Sequence, residues 1–290
     1  MNNSTNKAGT MMTLAMIIFG TIGIFRKFIY LPSGMIAMSR GLIGMLFLIS
    51  ATLIMNKKII FSDIKKNLFV FCVSGVLIGI NWIMLFEAYR YTSVAVATLC
   101  YYMAPVFTSI ASIFLLCEKF TVRRVVCTIS ALLGMVLVSG VLDEGIRNVD
   151  EIKGILLGTG AALLYAIVVI LNKKSEETDA YCKTLIQIGV AGICLIPYVI
   201  FAEGISQINF SPLSVSMLFV VGILHTGIAY TLYFGALGKM KAQTAAILSY
   251  IDPAVAIILS VFVLGESIGF SGWIGAVLII GAAFFSERGE

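Results

Sequence analysis

Ten apolar segments run through this chain in two sets of five, and the second set repeats the first. Aligning 79–118 with 227–266, a constant offset of 148, matches twelve positions, among them Phe86 with Phe234, Tyr102 with Tyr250, Pro105 with Pro253 and Glu118 with Glu266. An odd number of crossings per set reverses the orientation of the second set in a bilayer. The halves are then related by a pseudo-twofold axis in the membrane plane. The sequence predicts an all-α integral membrane protein of ten transmembrane helices, arranged as two inverted-topology five-helix repeats over 10–142 and 153–286.

Segment length supports the membrane reading. A bilayer-spanning helix needs about 20 mostly apolar residues, and the first five candidates cover 10–28, 33–55, 68–89, 93–117 and 121–142. The second five cover 154–171, 181–201, 212–237, 242–264 and 268–285. Hydrophobic residues make up 60% of the chain and charged residues 12%, and the mean hydropathy of +1.03 exceeds what a soluble core requires. The first apolar run lacks a small-residue cleavage site after a basic start and is expected to be retained as a span.

Charge sets the expected orientation. With the N-terminus inside, the inner segments carry fourteen Lys and Arg residues and the outer segments five, with Arg40 left inside a span. The positive-inside rule therefore predicts both termini in the cytoplasm, in a multi-pass protein of the cytoplasmic (inner) membrane. The net charge of +5 reports topology and gives no case for nucleic acid.

Several chemistries lack their motifs. The six cysteines stand singly, without CxxC or histidine at ligand spacing, so neither a disulfide framework nor a metal site is indicated. No GxxxxGK[ST], GxGxxG, HExxH or GxSxG occurs, and no cofactor is predicted.

Polar and aromatic residues within spans mark the candidate site. Trp82, Phe86 and Tyr89 fall at i, i+4 and i+7 on one helical face, expected to line a cavity wall. Tyr230 and Phe234 are their repeat counterparts, with Tyr233 nearby. Such rings suit an amphipathic ligand through stacking and cation–π contact; the competing role is helix packing and interfacial belts. Pro105 and Pro253, near the middle of the fourth and ninth spans, would each remove a backbone hydrogen bond and act as a hinge or a static bend.

Ionisable groups inside spans cost several kcal/mol and default to function. Asp252 would hold a substrate ammonium, carry a proton, or cap amides at the proline break. His225, the only histidine, suits a proton relay or a satisfied core role. Arg40 would bind a carboxylate or form a structural pair with Glu87, which lies about 140° from Trp82 on a helical wheel. Glu118 and Glu266 end spans just before Thr121 and Ser267 and read as structural helix-terminus charges. Tyr102 and Tyr250, matched between the repeats, complete the candidate binding set.

Phe19-Gly20-Thr21, Arg40, the run 88–93 leading to Ala104-Pro105, and Leu116-Cys117-Glu118 resemble the first half of an EamA-type member of the drug/metabolite transporter superfamily. Tyr165-Ala166, Lys173, Ala236-Leu237, Ile251-Asp252-Pro253 and Leu264-Gly265-Glu266 resemble its second half. Two departures stand at the expected cavity: Phe19 where the family commonly has Trp, and Asp252 where it commonly has Glu. The resemblance implies a ten-helix exporter of small metabolites, such as amino acids or related amphipathic compounds, working by alternating access between the halves. Proton coupling and facilitated diffusion both remain open, as do a monomer and a homodimer. Competing classes are a membrane-embedded enzyme acting on lipid-linked substrates, which would need clustered catalytic groups at one interface, and a small sensor or scaffold.

Thiol labelling tests the topology. A membrane-impermeant reagent added outside is expected to reach Asn148→Cys and Gln207→Cys and to miss Asn56→Cys and Thr178→Cys. The reverse pattern would remove the inverted-repeat reading.

Overall fold

A chain crossing hydrocarbon must pair its backbone groups internally, which leaves helices or closed barrels. The computed structural model describes residues 2–26, 28–55, 61–92, 97, 100–119, 121–139, 149–175, 178–203, 211–264 and 270–287, and among these no strand occurs. Glu266 lies outside them, as do three of the labelling positions, 56, 148 and 207.

The helices are α1 (Asn2–Gly20), α2 (Ile22–Arg26), α3 (Ser33–Ile54), α4 (Phe61–Tyr91), α5 (Ala104–Leu116), α6 (Val122–Ser139) and α7 (Val149–Lys174). They continue with α8 (Ala180–Cys194), α9 (Pro212–Val220), α10 (Ala229–Leu237), α11 (Ala242–Leu248), α12 (Ile251–Leu264) and α13 (Phe270–Glu287). The α8 rod extends through Ile196–Tyr198 and a π-helical turn, Val199–Glu203, while a longer π-helical stretch, Val221–Ile228, joins α9 to α10. Six helical rods are long and apolar enough to cross a membrane: Lys7–Arg26, Ser33–Ile54, Ile64–Tyr91, Ile152–Lys174, Ala180–Glu203 and Pro212–Leu237. Ala104–Leu116 and Phe270–Ala282 are shorter apolar helices.

Large apolar side chains cover the outside as well as the core. Phe69, Phe114, Phe201 and Phe270 are each more than three-quarters exposed, an arrangement that water would penalise and lipid accepts. Inside, α4 packs on α7 and α8, and α10 with the π-helical stretch before it packs on α1 and α3. Likewise α5 lies on α7 and α12 on α1, while α3 pairs with α8, α5 with α11 and α6 with α13. The main core gathers Met12, Trp82, Ile188, Tyr230, Tyr233 and Leu237 from four of these rods.

The prolines do not interrupt continuous helices. A turn at 249–250 separates α11 from α12 where one helix was expected over 242–264, and a turn at 102–103 precedes α5. Pro105 is the second residue of α5 and Pro253 the third of α12. First-turn amides have no intrahelical acceptor, so proline costs nothing there. Each proline therefore starts a helix, and the break lies before it.

Glu118 accepts from the amides of Ala242 at 2.8 Å and Gln243 at 3.3 Å, so it caps α11 in the other repeat rather than the helix that follows it. Thr121 serves the following helix, accepting from the Arg124 amide. Glu203 caps α3 in the same cross-repeat manner, taking the Gly34 and Met35 amides at 2.7 and 2.9 Å. Lys173 donates to the carbonyls of Leu237 and Met240 at the end of α10. These contacts place a carboxylate at helix N-termini and a cation at a C-terminus, the favourable sign in each case.

Candidate functional site

The aromatic residues of α10 sit where α1, α4 and α7 converge, and they build a connected set of rings. Tyr230 meets Phe19 at 5.1 Å and Trp82 at 6.3 Å between centroids, and Tyr233 meets Tyr165 at 6.1 Å. Tyr165 continues to Tyr101, and Tyr101 to Tyr102. Phe234 packs against both Tyr230 and Tyr233. Most of these contacts are edge-to-face or tilted, the geometry that ring quadrupoles favour.

Arg40 enters this set from α3. Its guanidinium carbon stands 4.1 Å from the Trp82 ring centroid, and the Tyr230 hydroxyl lies in hydrogen-bonding reach. The expected partnership with Glu87 does not form. Glu87 binds Arg90 at 3.0 Å and accepts from the Tyr198 hydroxyl, because the wheel offset that separates it from Trp82 also turns it away from Arg40. Among the described residues no carboxylate pairs with Arg40, and its Nε is buried without a hydrogen-bond partner. A desolvated cation–π contact contributes about 2 kcal/mol, against several kcal/mol for a buried unpaired ion. The balance leaves Arg40 short of an anion.

Asp252 occupies the first turn of α12, where its carboxylate meets the Tyr102 hydroxyl. Among the described residues no backbone amide donates to it, so the expected capping role is not realised. Tyr101 and Tyr230 lie within electrostatic reach of both Asp252 and other members of the set. Arg40, Tyr101, Tyr102, Tyr165 and Asp252 are all partly rather than fully buried. The backbone at Asp252 is fixed by α1: a Cβ at Gly20 would lie 2.6 Å from the Asp252 carbonyl oxygen, so only glycine permits this approach.

The remaining expected residues divide. Tyr89 lies alongside Tyr101 and Tyr102, and Phe86 packs against the main core. Trp82 is itself 4% exposed, so it is a core residue presenting one ring face to Arg40 rather than an open cavity wall. Tyr250 is corrected more fully. It is completely buried with Cys127, Ala131 and Ile279, and its hydroxyl donates at 3.1 Å to the Tyr102 carbonyl at the break before α5. It supports the site without lining it.

His225 lies in the π-helical stretch and contacts Thr21 Oγ1 through Nε2 at 2.8 Å. Thr21 Oγ1 also stands 2.8 Å from the Ile18 carbonyl, and the Val220 backbone lies within reach of the imidazole. Phe25 packs edge-on against the imidazole at 5.0 Å. The sequence reading put Phe19 at the expected cavity but missed Thr21, Tyr101 and Tyr165 as site members. Thr21 and Tyr165 stand within family motifs, and Tyr101 adjoins Tyr102, so a signal existed for each.

A multi-rod helical bundle with an aromatic, charge-bearing centre is the architecture of a membrane transporter, and comparison with known proteins agrees. The EamA-like transporter family model matches residues 6–140 and again 152–287. A Bacillus subtilis protein described as "Uncharacterized transporter YxxF" is 32% identical over 272 residues, covering 92% of this chain and 85% of its own. Protein RarD of Escherichia coli is 22% identical, covering 77% of this chain and 75% of its own. A solved crystal structure shares the fold with a TM-score of 0.83, over 97% of this chain and 96% of its own, at 19% identity. The chain belongs to the EamA-like transporter family.

Arg40→Met separates a binding role from a structural one. It keeps an unbranched apolar stem and removes a charge whose burial without a counter-ion is costly. Substrate uptake is expected to fall at least tenfold, the loss of one charge-assisted contact of about 1.5–3 kcal/mol, with Tm unchanged or raised. A Tm that falls in step with uptake would make Arg40 a structural residue.

Proposed function

We propose that this protein is a ten-span alternating-access transporter of the cytoplasmic membrane, with both termini inside, exporting small metabolites that carry a carboxylate and an ammonium group. Amino acids and related amphipathic compounds have that chemistry. The observation that carries the reading is Arg40, stacked on Trp82 with no carboxylate partner among the described residues, in the same tyrosine-lined centre as Asp252. A substrate carboxylate completes the Arg40 site, its ammonium meets Asp252, and its apolar part lies on the rings between.

The pattern of helix contacts supports the inverted repeat. Exchanging each rod of the first half for its counterpart in the second turns the packing of α4 on α7 and α8 into that of α10 and its π-helical stretch on α1 and α3. The pairs α3 with α8, α5 with α11 and α6 with α13 map onto themselves. Such a bundle rocks by moving one half against the other around a central site. The breaks before Pro105 and Pro253 flank that site and are the proposed hinges. Export follows from the family resemblance, and Asp252 is the proposed proton carrier for gradient coupling, with His225 as the second titratable candidate.

Proteoliposome uptake of a labelled panel of zwitterionic, cationic and anionic metabolites tests this. Zwitterions are expected to accumulate down an imposed pH gradient. Asp252→Asn keeps the hydrogen-bonding shape and is expected to lose gradient-driven accumulation while retaining binding or exchange of a neutral or carboxylate-bearing substrate. Wild-type accumulation by that variant, with normal pH dependence, would contradict the role given to Asp252.

A further inference from the structure

The antiparallel pair α6 and α13 is closed at one end and open at the other. At the closed end the backbones nearly touch: a Cβ on Gly134 would lie 2.7 Å from the Gly275 carbonyl oxygen. Toward the start of α6 and the end of α13 the helices diverge around a cavity of about 440 Å³, whose wall includes Val126, Cys127, Ser130, Gly281 and Phe285. Val126 and Phe285 are more than half exposed, so the trough opens to the bundle's outer surface. Arg123 stands at its mouth, held there by a hydrogen bond to the Phe285 carbonyl. Among the described residues no carboxylate pairs with it.

We propose that this trough is a binding site for one anionic glycerophospholipid, with an acyl chain along the apolar wall and the phosphate on Arg123. The trough's size falls in the range of small-ligand sites, about 300–1,000 Å³. Its surroundings would supply the occupant, since in the ten-span arrangement proposed above the exposed sides of these two helices face lipid. Charge selects the headgroup. Arg123 has guanidinium N–H groups beyond the one held by Phe285, suited to phosphate oxygens. Lys119, Lys239 and Lys241 are exposed around the same end of the bundle, which favours a net-negative headgroup over one carrying an ammonium. The site is separate from the transport centre and does not depend on the substrate proposed above.

Native mass spectrometry of the full chain, presented with equal phosphatidylglycerol and phosphatidylcholine of identical acyl chains, tests the assignment. Wild type is expected to retain one phosphatidylglycerol with about fivefold preference, the equivalent of one basic residue near an anionic surface. Gly281→Leu fills the trough without a clash, since a Cβ there meets nothing within 4 Å. That variant is expected to lose the bound lipid at unchanged Tm. Arg123→Gln is expected to keep a lipid but with a clearly reduced preference for phosphatidylglycerol, and an unchanged preference would overturn the role given to Arg123. Equal lipid retention by wild type and Gly281→Leu would overturn the proposal. So would a wild-type dimer that Gly281→Leu dissociates, which would assign the trough to a second copy of the chain.

Discussion

Backbone groups exposed at a helix break inside a membrane have no water to bond, and each one left open costs several kcal/mol. The architecture around the central site follows from that constraint. The turn at 102–103 exposes the Tyr102 carbonyl, and Tyr250, its repeat counterpart, covers it. The free amides at the start of α11 are met by Glu118 from the opposite half. Each solution reaches across the repeat boundary, so the breaks are tolerated only because the two halves are assembled on one another. The same contacts hold Tyr102 beside Asp252.

A second consequence is electrostatic. The described centre contains one cation without a carboxylate partner, Arg40, and one carboxylate bound only to a phenol, Asp252. Rings fill the space around them, and Gly20 brings α1 against the Asp252 backbone. Pairing the two charges directly would have given a quiet core. Keeping them apart, each partly satisfied, leaves both groups open to the zwitterionic guest proposed above. The cost is borne by the surrounding packing, where Trp82, Tyr230 and Tyr233 anchor the main core.

Much of this was legible in the sequence. The offset of 148 exposed the doubled pattern, and segment lengths exposed the helical rods. The prolines marked both breaks, although their place at helix starts rather than mid-helix needed coordinates. A helical wheel tells which way a side chain points but not what stands opposite it. Hence Arg40 was matched to Glu87 on depth, whereas Trp82 and Tyr230 receive it and Arg90 and Tyr198 take Glu87. Tyr250 shared a repeat position with Tyr102, yet the rods around them differ, so one lines the centre and the other is sealed. Long-range partners such as Thr21 for His225, 204 residues apart, carry no local signature at all.

The chain contains two tryptophans, Trp82 beneath Arg40 and Trp273, which packs on Phe262 toward the outside. In a Trp273→Phe background the remaining emission reports the centre directly. Titration with a zwitterionic amphipathic metabolite is predicted to change Trp82 fluorescence saturably, and Arg40→Met in the same background to abolish the change. A substrate that is transported without altering Trp82 emission, or that alters it equally when Arg40 is replaced, would place the binding site elsewhere.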